Sequence, residues 1–160
     1  MTGKTHQLAG VATGVIVSQF VPTVKGKLLF VAGCWFGSLI PDIDHANSKI
    51  SRMTILLHYL FAWCGHRTLT HSIVGVLLFS LIMIPLGVNT ATIGLVIGYM
   101  SHLLMDSLTV AGIPLFYPHK KKYRLMRIRT GSEGEVVVFG MIVLAMILYF
   151  YILFDMGGLK

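Results

Sequence analysis

Two segments of the sequence carry carboxylates and imidazoles at spacings that suit a metal ion. The segment Pro41-Asp42-Ile43-Asp44-His45 follows directly on an apolar run, and a later apolar run holds His102 and Asp106 four residues apart. On a helix, that spacing places both side chains on one face, within reach of a single ion. Imidazole and carboxylate ligands without thiolates suit Zn²⁺, Mn²⁺ or Fe²⁺. We therefore interpret Asp42, Asp44, His45, His102 and Asp106 as metal ligands.

The pair in the later run has a structural alternative. His102 and Asp106 could form a hydrogen bond within their helix and face neighbouring helices. However, an ionisable group inside an apolar segment costs about 3 kcal/mol on membrane-insertion scales, and such groups are functional by default. We therefore favour metal binding for both residues.

Other histidines lie at the ends of apolar runs. His6 precedes the first run, where a lone histidine is more often structural. His66 and His71 lie in Gly65-His66-Arg67-Thr68-Leu69-Thr70-His71-Ser72, before the third run. On one helix their rings would point about 140° apart, so both reach one ion only if His66 lies in the loop. The hydroxyls that could orient the imidazoles belong to Thr68, Thr70 and Ser107.

The last apolar run opens with Ser132-Glu133-Gly134-Glu135. Glu135 has two interpretations, which the sequence leaves open. As a carboxylate of the site it is, with Asp44, a candidate general base. However, Ser-x-x-Glu before an apolar run is also a capping box, in which the glutamate stabilises the helix start.

The elements that must position these side chains are membrane helices. Of the 160 residues, 55% are apolar and only 12% are charged, which is too hydrophobic for an ordinary soluble domain. Apolar runs recur at 8–22, 28–40, 72–88, 91–111 and 136–154. Most can cross a core of about 30 Å, but the second reaches only about 20 Å. We predict one domain, residues 1–160, that is an all-α integral membrane protein: a compact bundle of four to five transmembrane helices, the second short.

The net charge of +7 is better explained by membrane orientation than by nucleic acid. The positive residues follow the hydrophobic segments and form no patch interleaved with aromatic residues. If the segments alternate in direction, most Lys and Arg fall on one side, which the positive-inside rule makes cytoplasmic. Every candidate ligand falls on that same side. We interpret the basic residues of 120–129 chiefly as an anchor that faces lipid headgroups.

The motifs, taken in order, resemble a known family. An early His, Pro-Asp-x-Asp-His, Gly-His-Arg-x-x-Thr-His-Ser, His-x-x-x-Asp and Ser-x-x-Glu are similar to those of the YdjM-type, LexA-regulated, membrane-bound metal-dependent hydrolases of the bacterial inner membrane. The resemblance covers nearly the whole chain and implies a link to the SOS response. More distantly, the chain is similar to zinc-dependent phospholipase C, which implies phosphoester chemistry. The metal roles implied by position are those of Asp42, Asp44, His45, His66, His71, His102 and Asp106, and less directly of His6 and Glu135.

We therefore expect a hydrolase in which two divalent ions, with Zn favoured over Mn or Fe, activate a water at the cytoplasmic face of the inner membrane. The expected substrate is a lipid or lipid-linked phosphoester, whose phosphate Arg67 and the nearby basic residues would help to hold. Membrane lipids are the expected partners, and nucleic acid is not. The alternative is a metal-ion transporter or a metal-dependent structural membrane protein. Transporters usually place ligands near the midplane between repeated halves, whereas here the ligands lie toward one face and no repeat is evident.

Overall fold

The computed structural model describes residues 1–44, 69–119, 121–155 and 157, with the backbone alone at 43 and 44. In these ranges two short 3-10 helices, Ile40–Asp44 and Ile84–Leu86, follow the second and third α-helices. No regular strand forms among the described residues, and two isolated β-bridges join Thr109 to Ile128 and Ile113 to Tyr123. The predicted all-α class is confirmed. The α-helices are α1 (Gly3–Ser18), α2 (Val24–Gly37), α3 (Ile73–Met83), α4 (Thr90–Ser107) and α5 (Glu133–Asp155).

Polar residues before the apolar runs fix the helix starts. The side chains of Thr23 and Ser72 each accept a first-turn backbone N–H at 3.1 Å, at the starts of α2 and α3. Asn89 and Thr92 form a reciprocal capping box at the start of α4. Each cap satisfies backbone donors that would otherwise have no partner within the helix. These caps determine the residue at which α2, α3 and α4 each begin.

Glycines allow α2 and α4 to pack at close range. Gly33 and Gly37 on α2 lie against the backbone of α4, and Gly94 and Gly98 on α4 lie against the backbone of α2; each pair is four residues apart. A Cβ on Gly98 would overlap the backbone carbonyl of Cys34, and one on Gly33 would lie 2.5 Å from a backbone oxygen of α4. Small residues four apart let helix backbones approach closely, as is common between membrane helices. The α2–α4 contact is therefore a backbone-to-backbone contact, and α1 packs against both helices.

A small apolar cluster closes the bundle near the C-terminal half of α4. Tyr99, Leu103 and Ile113 are buried, and Phe79 of α3 stacks on Tyr99 with ring centroids 5.3 Å apart. The Tyr99 hydroxyl donates to the carbonyl of Thr70. This hydrogen bond ties the segment before α3 to α4, and so fixes the position of the residue that follows Thr70.

Two helical stretches in the described ranges are long and apolar enough to cross a membrane: Val24–Asp42, which is α2 with the turn and 3-10 residues after it, and Glu133–Asp155, which is α5. The predicted short second segment therefore begins earlier than residue 28, and its 19 residues reach about 28 Å. The helix Ile73–Leu86 is apolar but shorter. Helix length and hydropathy thus support two spans, and the predicted total of four to five stays a prediction.

We expect Gly98→Ala to destabilise the protein by about 3 kcal/mol, because the added methyl group would force α2 and α4 apart. The matched control is Gly140→Ala in α5, where an added Cβ meets no atom within 4 Å. Thermal unfolding of both variants in detergent tests this. Equal melting temperatures for the two variants would contradict the proposed packing role of Gly98.

Candidate metal centre

Five of the predicted ligands lie together at one end of the bundle. His6 is in the first two turns of α1, Asp42 is in the 3-10 helix after α2, and His71 immediately precedes the cap of α3. His102 and Asp106 are on the last turns of α4. Two overlapping groups have ligand atoms within 4.8 Å of one another: His6, His102 and Asp106, and then Asp42, His71 and His102.

Asp106 is the centre of this arrangement and is fully buried. Its Oδ1 lies 3.2 Å from His6 Nε2, and the terminal amine of Met1 donates to the same oxygen at 2.6 Å. Its Oδ2 lies 3.4 Å from His71 Nε2 and 3.7 Å from His102 Nε2. A buried carboxylate is costly unless cations or hydrogen-bond donors surround it. Here the nitrogens that surround it come from the N-terminal segment, the segment before α3, and α4 itself.

His102 is held in one tautomer by α2. Its Nδ1 lies 2.7 Å from the carbonyl oxygen of Ser38, and because a carbonyl can only accept, Nδ1 carries the proton. The Nε2 lone pair therefore points toward the other ligands, as in many metal sites where the second ring nitrogen is bound to a backbone carbonyl. The His6 ring stacks on the His102 ring at 3.7 Å and 10°. Both imidazoles are thus held in fixed orientations.

The geometry fits a metal ion. Two ligand atoms that are each about 2.1 Å from an ion can lie at most about 4.2 Å apart. The separations of 3.2, 3.4 and 3.7 Å around Asp106 meet this limit, as does the 3.8 Å between His102 Nε2 and Asp42 Oδ1. Within the described ranges, the buried His6 Nδ1 and His102 Nε2 have no hydrogen-bond partner. These buried His and Asp groups can therefore hold a metal ion.

The number of ions depends on how ligand atoms are shared. Both groups include His102, whose only available ligand atom is Nε2, so that atom can serve one ion. The two oxygens of Asp106, however, face different histidines: Oδ1 faces His6, and Oδ2 faces His71 and His102. The carboxylate of Asp106 therefore offers one oxygen to His6 and the other to His71 and His102.

Glu135 is buried but belongs to neither ligand group. Its Oε1 accepts hydrogen bonds from the Thr2 backbone N–H and hydroxyl at 2.6 and 2.7 Å, and from the Thr5 hydroxyl at 2.6 Å. Its Oε2 accepts the backbone N–H of Gly131 at 2.7 Å. Glu135 therefore joins the start of α5 to the start of α1, and it holds the helical turn that carries His6.

The remaining predicted site residues divide into two sets. Thr70 Oγ1 lies 3.0 Å from His71 Nδ1, which agrees with an orienting role, whereas the Ser107 hydroxyl donates to the Leu104 carbonyl at 2.6 Å. Ser107 is therefore bonded within its own helix and not to an imidazole. The others lie outside the described residues: His45, His66, Arg67 and Thr68 entirely, and Asp44 with respect to its side chain.

Sequence reasoning missed two features of the centre. The Ser38 carbonyl that fixes His102 is a backbone atom, so no side-chain motif could signal it. Thr2 and Thr5 had a weak signal, since hydroxyl residues near a helix start commonly bind carboxylates or backbone groups. Their partner, however, lies 130 or more residues away, and only the fold brings it near.

Comparisons with known proteins agree with the sequence motifs. The sequence model of the family described as "YdjM inner membrane protein" matches residues 1–157. The chain is 38% identical to "Uncharacterized protein YvsG" of Bacillus subtilis, covering 96% of this chain and 97% of that one. It is 32% identical to "Inner membrane protein YdjM" of Escherichia coli K12, covering 78% and 69%. No solved structure matches the chain.

We expect His102→Ala and Asp106→Asn each to lower metal affinity by more than about a hundredfold, because losing a direct ligand should exceed the 10–100-fold cost of losing an outer partner. Elemental analysis of purified protein after mild chelation measures the retained metal. The control is His119→Ala, an exposed histidine in the loop after α4. Full metal content in either ligand variant would refute the site.

We expect Glu135→Gln to destabilise the fold by about 2 kcal/mol. All four partners of Glu135 donate to its carboxylate, so the NH2 group of glutamine would face at least one other hydrogen-bond donor. Glu133→Gln, in the same turn but exposed, should leave stability unchanged. Thermal unfolding measures stability, and metal content is measured in parallel. If Glu135→Gln lost its metal while keeping the wild-type melting temperature, Glu135 would be a ligand and not a link between helices.

Proposed function

The chain belongs to the YdjM inner membrane protein family, and from this premise we propose that it is a metal-dependent hydrolase of a lipid or lipid-linked phosphoester. In this proposal the chain crosses the bacterial inner membrane several times, with the candidate metal centre at the cytoplasmic face. The predicted link to zinc-dependent phospholipase C remains part of the proposal, as do zinc itself and a role in the SOS response.

The observation that carries the proposal is the burial of three histidines around one aspartate. His6, His71, His102 and Asp106 are each at most 1% exposed. Ionisable groups buried in this number cost several kcal/mol each unless they bind an ion or one another. Their nitrogens and oxygens converge from separate elements on a small volume, which is typical of functional sites assembled at the ends of helices. A purely structural polar cluster would not need so many imidazoles.

We favour two ions, which His6, His71, His102 and Asp106 would help to hold. A bound divalent ion would lower the pKa of a water and neutralise charge on a phosphoryl group. His6, His71 and His102 would hold the ions, while Thr70 and the Ser38 carbonyl fix the rings of His71 and His102. Because His6, His71, His102 and Asp106 are buried, bulk water would not reach the ions from the side of these four residues.

Asp42 marks the open side of the centre. Its side chain is 20% exposed, whereas Asp106 and His102 are fully buried. We propose that the substrate enters from this side and that Asp44, two residues after Asp42 in the sequence, is the general base. Arg67 remains the proposed phosphate ligand. Glu135 is a poor candidate for the base, because four hydrogen bonds already stabilise its carboxylate. We assign it instead to positioning α1.

We expect purified, metal-loaded protein to release phosphate, a phosphorylated headgroup or diacylglycerol from membrane phospholipids. Asp106→Asn and His71→Ala should each reduce the rate by about a hundredfold or more, and His119→Ala should retain it. Thin-layer and mass-spectrometric analysis of products from a panel of lipids measures this.

The competing function is metal transport. Proteoliposomes loaded with a metal-sensitive dye report ion flux in the same preparations. Metal-dependent flux without any lipid turnover would replace the hydrolase with a transporter. Turnover without flux would exclude transport and support the hydrolase.

A further inference from the structure

The loop between α4 and α5 carries a concentrated positive charge. Its residues 121–129, here called the basic loop, hold five exposed cations. The sequence has no Asp or Glu between Asp106 and Glu133 to neutralise them. In the part of the chain that the structure describes, none of the five forms an ion pair with a carboxylate. The five are Lys121, Lys122, Arg124, Arg127 and Arg129.

Exposed apolar side chains lie between the cations. Leu125 is 68% exposed and Met126 is 55% exposed, and they separate Arg124 from Arg127. Apolar residues flanked by Lys and Arg are typical of segments that lie in the membrane interface, where the cations contact headgroups and the apolar groups enter the acyl boundary. A free anion in solution would account for the cations but not for these two side chains.

Nucleic acid fits the same surface less well. Single-stranded nucleic acid needs aromatic faces on which bases stack. Tyr123 is the aromatic residue of the loop, and its ring is already in edge contact with Phe116 and lies 5.6 Å below Lys121 Nζ. The loop therefore offers positive charge and exposed apolar side chains. A phospholipid matches both, with a negatively charged phosphate and apolar acyl chains.

Backbone hydrogen bonds fix the basic loop beside the metal centre. The Leu125 N–H donates to the Ser107 carbonyl at 2.7 Å, and the Ile128 N–H donates to the Leu108 carbonyl at 3.0 Å. Ser107 and Leu108 directly follow the buried Asp106. Tyr123 and Ile113 exchange two further backbone hydrogen bonds, at 2.8 and 3.0 Å. The cations are thus attached to the end of α4 that carries the candidate ligands.

We propose that the basic loop binds the phosphate of anionic phospholipids and so makes anionic lipids the preferred substrate class of the metal centre. The binding half of this inference stands by itself, and the substrate half rests on the proposed function. Arg124 and Arg127 would contact the lipid phosphate through charge-assisted hydrogen bonds. Leu125 and Met126 would lie among the upper acyl segments.

Native mass spectrometry of the full chain in detergent tests the binding half directly. Protein treated with a chelator is titrated with short-chain phosphatidylglycerol or with phosphatidylcholine of the same chain length. We expect about tenfold tighter binding of phosphatidylglycerol, lost in the double variant Arg124→Gln/Arg127→Gln. The matched control Lys25→Gln/Lys27→Gln, which removes two cations from the first turn of α2 on another part of the chain, should keep the preference.

If the first double variant does not fold, a second one, Lys122→Gln/Arg129→Gln, replaces it in the same titration. Equal binding of the two lipids by the wild type would overturn the inference, as would equal losses in the loop and control variants. Preferential binding of a single-stranded RNA over phosphatidylglycerol would also overturn it. Because the protein is metal-free in this assay, absence of any hydrolase activity would not affect the result. Hydrolysis without a preference for anionic lipid would leave the proposed function intact and refute the substrate half.

Discussion

The close approach of α2 and α4 is the constraint on which the rest of the structure depends. Glycines on both helices let the two backbones touch, and this contact extends to the end of the bundle where the ligands lie. There the Ser38 carbonyl meets His102 Nδ1, and the following 3-10 helix carries Asp42 to within 3.8 Å of His102. A bulkier interface would push the two backbones, and these groups with them, apart. The packing of small residues is therefore also what assembles the candidate metal centre.

The centre is costly to build and is supported from several directions. Asp106 is surrounded by nitrogens from separate parts of the chain, and its neighbours are held by contacts outside the ligand set. Thr70 contacts His71 while its carbonyl accepts from Tyr99. Glu135 holds the start of α1, which carries His6. Outer contacts of this kind fix ring orientation before a ligand binds, which reduces the free energy spent on ordering them later.

The sequence predicted the helices, and the end of the helix bundle at which the ligands lie, better than it predicted individual contacts. The four-residue spacing of His102 and Asp106 was sufficient to place both on one helix face, because local helix geometry determines it. Alternating helix direction predicted only that His6 and His71 fall on the same side as His102 and Asp106; that both lie beside the carboxylate of Asp106 is known from the structure. The sequence did not predict contacts that depend only on tertiary packing, such as the contact between the Ser38 carbonyl and His102. It also left the role of Glu135 open. For Glu135 a local capping motif competed with a site role. Its carboxylate accepts the nearby Gly131 N–H, but it also accepts from Thr2 and Thr5, which are remote in sequence.

The attachment of α5 has a consequence for how the protein adapts to its bilayer. Beyond its first turn, α5 has no buried residue in the described structure, and it packs against α1 near Glu135. Its 23 residues span about 34 Å, a few ångströms more than an average hydrocarbon core. A helix fixed at one end can absorb such a mismatch by changing its tilt. The thickness of the surrounding membrane can therefore vary while the ligands on α1 and α4 keep their distances, with Glu135 acting as the pivot.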